Sequence, residues 1–140
     1  MTNRSMSEIV RRRAPVTLPM TATVQEAARL MRERRIGAIL VVSADGQLEG
    51  LFTGRDAVAR VLAEARDPGE TRLADVMTPR PDTLHPNHLA IDALRMMHDG
   101  GYRHMPVVHG GKPVGIVSHS DFDGLERARL DTETGFWESL

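Results

Sequence analysis

Two stretches of this chain carry the same chemistry-bearing residues in the same order. They are Gly50-Leu51-Phe52-Thr53-Gly54-Arg55-Asp56 and Gly115-Ile116-Val117-Ser118-His119-Ser120-Asp121. Each reads Gly-x-x-Ser/Thr-x-x-Asp, placed where an apolar run should end and a helix begin. A hydroxyl at the N-cap with an acid three residues on makes a capping box. The same residues could also meet a ligand. A helix N-terminus offers N–H groups and partial positive charge to a phosphate. The hydroxyl can donate to a phosphate oxygen. The carboxylate would repel phosphate, so its natural target is a ribose diol, and apolar strands alongside can sandwich a base. The two readings are compatible, because a cap can orient the side chains that face a ligand. In the first copy Arg55 opposes the helix dipole, a conflict that a bound phosphate would remove. The second copy has His119 and Ser120 at those places, and Tyr102-Arg103-His104-Met105-Pro106 nearby could supply cations.

The motif occurs twice because the chain does. At an offset of 66 residues Val10 meets Val76, Pro15 meets Pro81, Thr17-Leu18 meets Thr83-Leu84, Ala27 meets Ala93, Met31 meets Met97 and Val41-Val42 meets Val107-Val108. After one deleted turn residue the offset becomes 65, pairing Gly46 with Gly111, Gly50 with Gly115, Thr53 with Ser118 and Asp56 with Asp121. Such a register through every element marks a tandem duplication, with repeats at 7–66 and 73–130 and a tail at 131–140.

Each repeat reads β-α-β-β-α. A short extended piece at Thr17-Leu18 or Thr83-Leu84 precedes a helix. Thr23 with Glu26 predicts a capping box for the first helix, whose stripe is Val24, Ala27, Ala28 and Met31. Asn87 or His88 is the expected cap of the second, with Ala90, Ala93, Leu94 and Met97 as its stripe. The runs Ala38–Val42 and Met105–Val108 are continuously apolar, as expected of strands covered on both faces. Asp45-Gly46 and Gly110-Gly111 predict hairpin turns into strands at Leu48–Phe52 and Val114–Val117. The expected fold is α+β, with the two repeats packed in pseudo-two-fold symmetry.

Composition bounds the chemistry. The chain has 140 residues, a formal net charge of -1 and no cysteine. A chain of this size can bury about two-thirds of its surface, enough for a core without disulfides or metal. Thiol catalysis, disulfide scaffolds and cysteine-ligated metals are excluded. No apolar run is long enough for a transmembrane helix, and the start lacks a secretory h-region, so a cytoplasmic protein is expected. Balanced charge argues against bulk nucleic-acid binding. Lys112 is the one lysine among 18 basic residues. Arginine suits phosphate, and Arg11-Arg12-Arg13 reads as a solvated face or a phosphate contact. The six histidines all lie between His85 and His119, but His85 and His88 lack the spacing of a helical zinc pair, so surface and turn roles are expected. Ser118-His119-Ser120-Asp121 has the letters of a hydrolytic triad, yet consecutive residues at a helix start point in different directions. No enzyme activity is therefore expected. Phe136 and Trp137 in the tail predict docking on the body or on a second subunit.

These features together resemble a tandem pair of cystathionine-β-synthase (CBS) domains, the Bateman module. The likeness rests on the two repeats, Asp75-Val76-Met77-Thr78, Thr83-Leu84-His85-Pro86, Tyr102-Arg103-His104-Met105-Pro106-Val107-Val108 and the two Gly-x-x-Ser/Thr-x-x-Asp ends, and covers roughly residues 7–127. The resemblance implies a non-catalytic module that binds an adenosine-containing ligand (AMP, ADP, ATP, NAD or S-adenosylmethionine) between the repeats. It implies that Asp56 and Asp121 hold ribose hydroxyls, and that Thr53 and Ser118 face ribose or phosphate. Thr17, Ala38, Thr83, His104 and Pro106 would frame the base. His104 is the histidine expected at the ligand. If it or His119 met phosphate, binding would weaken from about pH 6 to 8 as imidazolium is lost. The resemblance further implies a homodimer that signals to a separate effector protein. The alternative is a constitutive dimeric adaptor without a small-molecule ligand. Two departures stand out: Val10-Arg11-Arg12 replaces Val-Met-Thr in the first repeat, and Gly37-Ala38-Ile39-Leu40 lacks the proline found at Pro106.

Overall fold

In the computed structural model, which describes residues 3–122, 124 and 126–128, the two repeats build related but unequal sets of elements. The elements are α1 (Met6–Val10), β1 (Thr17–Pro19), α2 (Val24–Arg34), β2 (Ala38–Val42), β3 (Leu48–Thr53), α3 (Gly54–Asp56), α4 (Leu73–Val76), β4 (Thr78–Pro79), α5 (Ala90–Gly100), β5 (His104–His109) and β6 (Lys112–Ser118). Beyond α3 the chain continues as a π-helical turn, Ala57–Leu62, and beyond β6 as a 3-10 turn, His119–Asp121. The fold is α+β, as expected.

Helices α2 and α5 are stopped identically. Arg35 (φ 55°) and Gly101 (φ 69°) are left-handed, and the next N–H reaches back one turn: Ile36 N to Met31 O (3.0 Å) and Tyr102 N to Met97 O (2.9 Å). Their starts differ. The hydroxyl of Thr23 accepts from Glu26 N (3.1 Å), which supplies half of the expected box. The α5 cap is Leu89, not Asn87 or His88, and Asp92 Oδ2 accepts from Leu89 N (3.0 Å). His85 and His88 build the preceding turn instead. Their Nδ1 atoms accept from Asn87 N (3.0 Å) and His85 N (2.7 Å). The α5 stripe is buried throughout, whereas on α2 Ala28 faces solvent and Met31 is half-buried.

The packing unit is not the repeat. One compact unit takes residues 15–81 with the hairpin tip 110–113, and the other takes the described residues of 3–14, 82–109 and 114–128. Thus α4, which opens the second repeat, packs in the unit built on the first. Likewise α1, which opens the first repeat, packs in the unit built on the second. In the unit of residues 15–81, strands run β1-β2-β3-β4, with β1 parallel to β2 and the rest antiparallel. Its core joins Ile39, Val41 and Phe52 to Val61, Leu73 and Val76. In the other unit β5 pairs with β6, and the counterpart of β1 shrinks to one parallel bridge, Leu84 to Val107. That bridge repeats the β1 pair Leu18 to Val41 at the 66-residue offset. The core there joins Met6, Ile9 and Val10 to Leu94, Met97, Val107 and Phe122. Burying one such aromatic or aliphatic side chain contributes about 1.5–3 kcal/mol. Phe136 and Trp137 lie outside the described residues. Among the described residues no helix is long and apolar enough to cross a membrane.

Candidate functional site

The first motif sits where β3 ends. Ala38 on β2 is the register partner of Thr53. Gly54 N–H, the first of the helix, donates to Gly37 O (3.1 Å). Asp56 is buried, 8% exposed. Its Oδ2 accepts from Thr53 N (2.9 Å) and Thr53 Oγ1 (3.2 Å), and its own N–H donates back to Thr53 Oγ1 (3.3 Å). The capping box is therefore complete. Asp56 Oδ1 faces Arg60 Nε at 3.7 Å, and Arg60 Nη1 donates to the carbonyls of Met77 (2.9 Å) and Val76 (3.3 Å) at the end of α4.

The second motif repeats this geometry in the other unit. His119 N–H donates to Arg103 O (2.9 Å), the counterpart of the Gly54–Gly37 bond. Asp121 Oδ2 accepts from Ser118 N (2.7 Å) and Ser118 Oγ (3.3 Å), and Ser118 Oγ also meets Ser120 Oγ at 2.9 Å. Asp121 Oδ1 is met by Arg13 Nη1 at 2.7 Å. Arg4, bidentate on the buried Glu126, also donates to the Asp121 carbonyl (3.0 Å).

Each cradle thus has one carboxylate oxygen committed to the cap and the other turned toward an arginine. This second oxygen is the one left outside the cap, and a diol that donates to it competes with the arginine for it. The helix-start N–H groups are less open than the sequence suggested. Gly54 N, Asp56 N and His119 N all have protein partners.

The remaining candidates differ in exposure and partners. Thr17 is exposed on β1, with Leu40 of β2 as register partner. Arg55, Thr83, Arg103 and His119 are exposed, and Pro106 is buried with its carbonyl accepting from Leu84 N (2.8 Å). Tyr102 turns away: its hydroxyl donates to Asp82, and that bond, with the carboxylate's charge, raises its pKa above the ordinary value. His104 is half-buried. Burial pushes its pKa below the usual 6.5, Asp121 opposes this, and Arg103 adds to it. Without a ligand, its imidazolium is therefore lost below pH 6.5. Two arginines at the carboxylates, Arg60 and Arg13, come from the structure and not from the motifs. Arg60 was findable, being four residues after Asp56 on one helix. Arg13 is 108 residues from Asp121 and carried no such signal.

The duplicated glycines have a packing reason. A Cβ on Gly115 would lie 2.6 Å from Val10 Cβ, and one on Gly50 would lie 2.4 Å from Met77 Sδ. Each motif glycine is therefore a seat for the segment at the end of an opening helix, three residues before the cradle hydroxyl.

A family model for the CBS domain matches residues 6–63 and 73–124, the two repeats that carry these cradles. The chain belongs to the CBS-domain family. The CBS domain-containing protein YhcV of Bacillus subtilis is 38% identical over 105 residues, which cover 75% of this chain and 74% of YhcV. The CBS domain-containing protein CBSCBSPB3 of Arabidopsis thaliana is 34% identical over 122 residues, 86% of this chain. The match spans only 22% of that plant protein's length. Among solved structures, the CBS domain protein PAE2072 from Pyrobaculum aerophilum, complexed with AMP, superimposes with a TM-score of 0.81 at 27% identity, covering 91% of this chain and 98% of that one.

Proposed function

We propose that this CBS-domain chain is a non-catalytic regulatory module that binds an adenosine-containing nucleotide and signals to a separate effector protein. The carrying observation is the duplicated cradle. Thr53–Asp56 and Ser118–Asp121 are preset by their caps, and each carboxylate keeps its Oδ1 outside the cap. The likeness to PAE2072, whose structure holds AMP, supports an adenine nucleotide over other diols. Among the sequence candidates, Ala38 is the register partner of Thr53, Arg103 O accepts from His119 N at the second motif, and His104 feels the charge of Asp121. A ligand can shift a conformational equilibrium only by its difference in affinity for the two states.

The test is a thermal-shift panel with AMP, ADP, ATP, NAD and S-adenosylmethionine on the wild type, Asp56→Asn and Asp121→Asn. Asparagine keeps an acceptor oxygen for the cap and loses the charge, so the variants should fold. Ligand at 100 times its Kd adds about 2.7 kcal/mol per site, a rise of roughly 6–12 °C at this size. A rise with one nucleotide, abolished in one variant, identifies the cradle used. No shift with any of them at millimolar concentration favours the adaptor reading, in which both hydroxyl–carboxylate pairs act only as caps.

A further inference from the structure

The two cradles differ most in where their arginine comes from. Arg60 sits on the helix of its own cradle and spends Nη1 on Val76 and Met77 carbonyls. Its counterpart in the second repeat is Leu125, and the counterpart of Arg13 in the second repeat is Pro79. Arg13 instead enters from the N-terminal segment. That segment is fixed by backbone bonds: Ala90 N to Arg4 O (2.7 Å), Met6 N to His88 O (2.8 Å), Ser7 N to Pro86 O (2.9 Å) and Arg13 N to Val10 O (2.9 Å). The Arg13 backbone is therefore anchored, and its side chain keeps Asp121 within reach.

We propose that Arg13 makes the Asp121 cradle select a phosphorylated nucleoside over the bare nucleoside. This rests on the nucleotide-binding reading above. The Arg13 side chain is 50% exposed and that of Asp121 16%. Partly exposed pairs of this kind contribute little and open readily. A ribose diol donating to Asp121 Oδ1 takes the place that Arg13 Nη1 holds. The released guanidinium remains within a side-chain length of the ribose, with a planar fork of donors that suits a phosphate on that ribose. A nucleotide thus replaces the ion pair it breaks, and a nucleoside does not. The Asp56 cradle has no equivalent, because its arginine is held by the end of α4.

The experiment is titration calorimetry of AMP and adenosine into the full chain. It uses the wild type, Asp56→Asn to leave only the Asp121 cradle, and that variant combined with Arg13→Gln or, as charge-matched control, Arg11→Gln. In the Asp56→Asn background AMP should bind at least about tenfold more tightly than adenosine, the scale of one charge-assisted hydrogen bond. Arg13→Gln should reduce that ratio about tenfold, through weaker AMP binding with adenosine unchanged or tighter. Arg11→Gln should leave it within twofold. Equal binding of the two ligands, or a ratio insensitive to Arg13→Gln, overturns the role of Arg13 and leaves nucleotide binding standing. Binding lost with Asp56→Asn alone also overturns it, by placing the ligand in the other cradle. Absence of any binding to the wild type overturns both readings.

Discussion

Gly115→Ala and Gly50→Ala put one methyl group into the same duplicated position, and they should not cost the same. At Gly115 the new Cβ lies 2.6 Å from Val10 Cβ and 2.9 and 3.0 Å from its two Cγ atoms, where ordinary contact begins near 3.4 Å. Val10 is buried and β-branched, so its rotamer gives little. Backbone must move by nearly an ångström, and overpacking of that kind costs about 2–3 kcal/mol. At Gly50 the closest atom is Met77 Sδ at 2.4 Å, the mobile part of a flexible side chain, with Thr78 O at 3.0 Å behind it. Methionine repacks easily, and we expect about 1 kcal/mol. Urea unfolding followed by far-UV circular dichroism measures both, and at 1–3 kcal/mol per molar urea the difference is a readable midpoint shift. Double variants sharpen the test. Met77→Ala removes the two closest side-chain atoms and should largely rescue Gly50→Ala. Val10→Ala leaves the Cβ that makes the shortest contact and should rescue Gly115→Ala only in part. Equal losses for the two glycines, or full rescue by Val10→Ala, would refute this account of the motif glycines.

Other outcomes follow from single side chains. Arg35→Gly should stabilise the chain by roughly 0.5–1 kcal/mol in the same urea assay, because a non-glycine residue holds a left-handed helix stop that Gly101 fills without strain in the second repeat. The lowered pKa of His104 sets a sign for pH dependence. As pH falls below about 6.5 the unfolded chain takes the proton first, so stability should decline from there until the folded pKa is passed. Unfolding midpoints from pH 7.5 to 5 should show this decline, and His104→Gln should flatten it; an unchanged slope in the variant would place the titrating group elsewhere.

What could be read in advance was whatever is local or repeated. The Gly110-Gly111 turn, both residues at positive φ, follows from residue type alone, and the buried run Ala38–Val41 follows from hydrophobic pattern. The α5 cap has no signature of the usual kind, which is a polar N-cap side chain. Leu89 has none to offer, and its N–H is satisfied by Asp92 reaching back. Ala28 falls on the stripe that helical spacing predicts yet faces solvent, because spacing gives a face without giving its width. The exchange of α1 and α4 between units had no sequence signature, since periodicity shows that a helix buries one side and not what covers it. The Arg13–Asp121 pair was hidden for the same reason, as it depends on that exchange.

The exchange also bears on how a bound ligand could be felt elsewhere. In each unit a single strand carries both the seat for an opening helix and, three residues later, the cradle hydroxyl: Gly50 and Thr53 on β3, Gly115 and Ser118 on β6. In each unit the uncapped carboxylate oxygen also meets an arginine tied to that helix. Arg60 joins Asp56 to the last carbonyls of α4, and Arg13 follows directly from α1. The helix so contacted belongs, in sequence, to the other repeat. Under the proposed function a diol taking Asp121 Oδ1 would therefore exchange a protein contact with the first repeat's opening segment for a ligand contact. That difference is the kind of state-dependent interaction that coupling between sites requires. Arg13→Gln removes it without touching the cap of Ser118. A variant that still binds nucleotide but no longer transmits its presence would locate the coupling in this arginine, and a variant that transmits normally would move it to the packing of Val10 on Gly115.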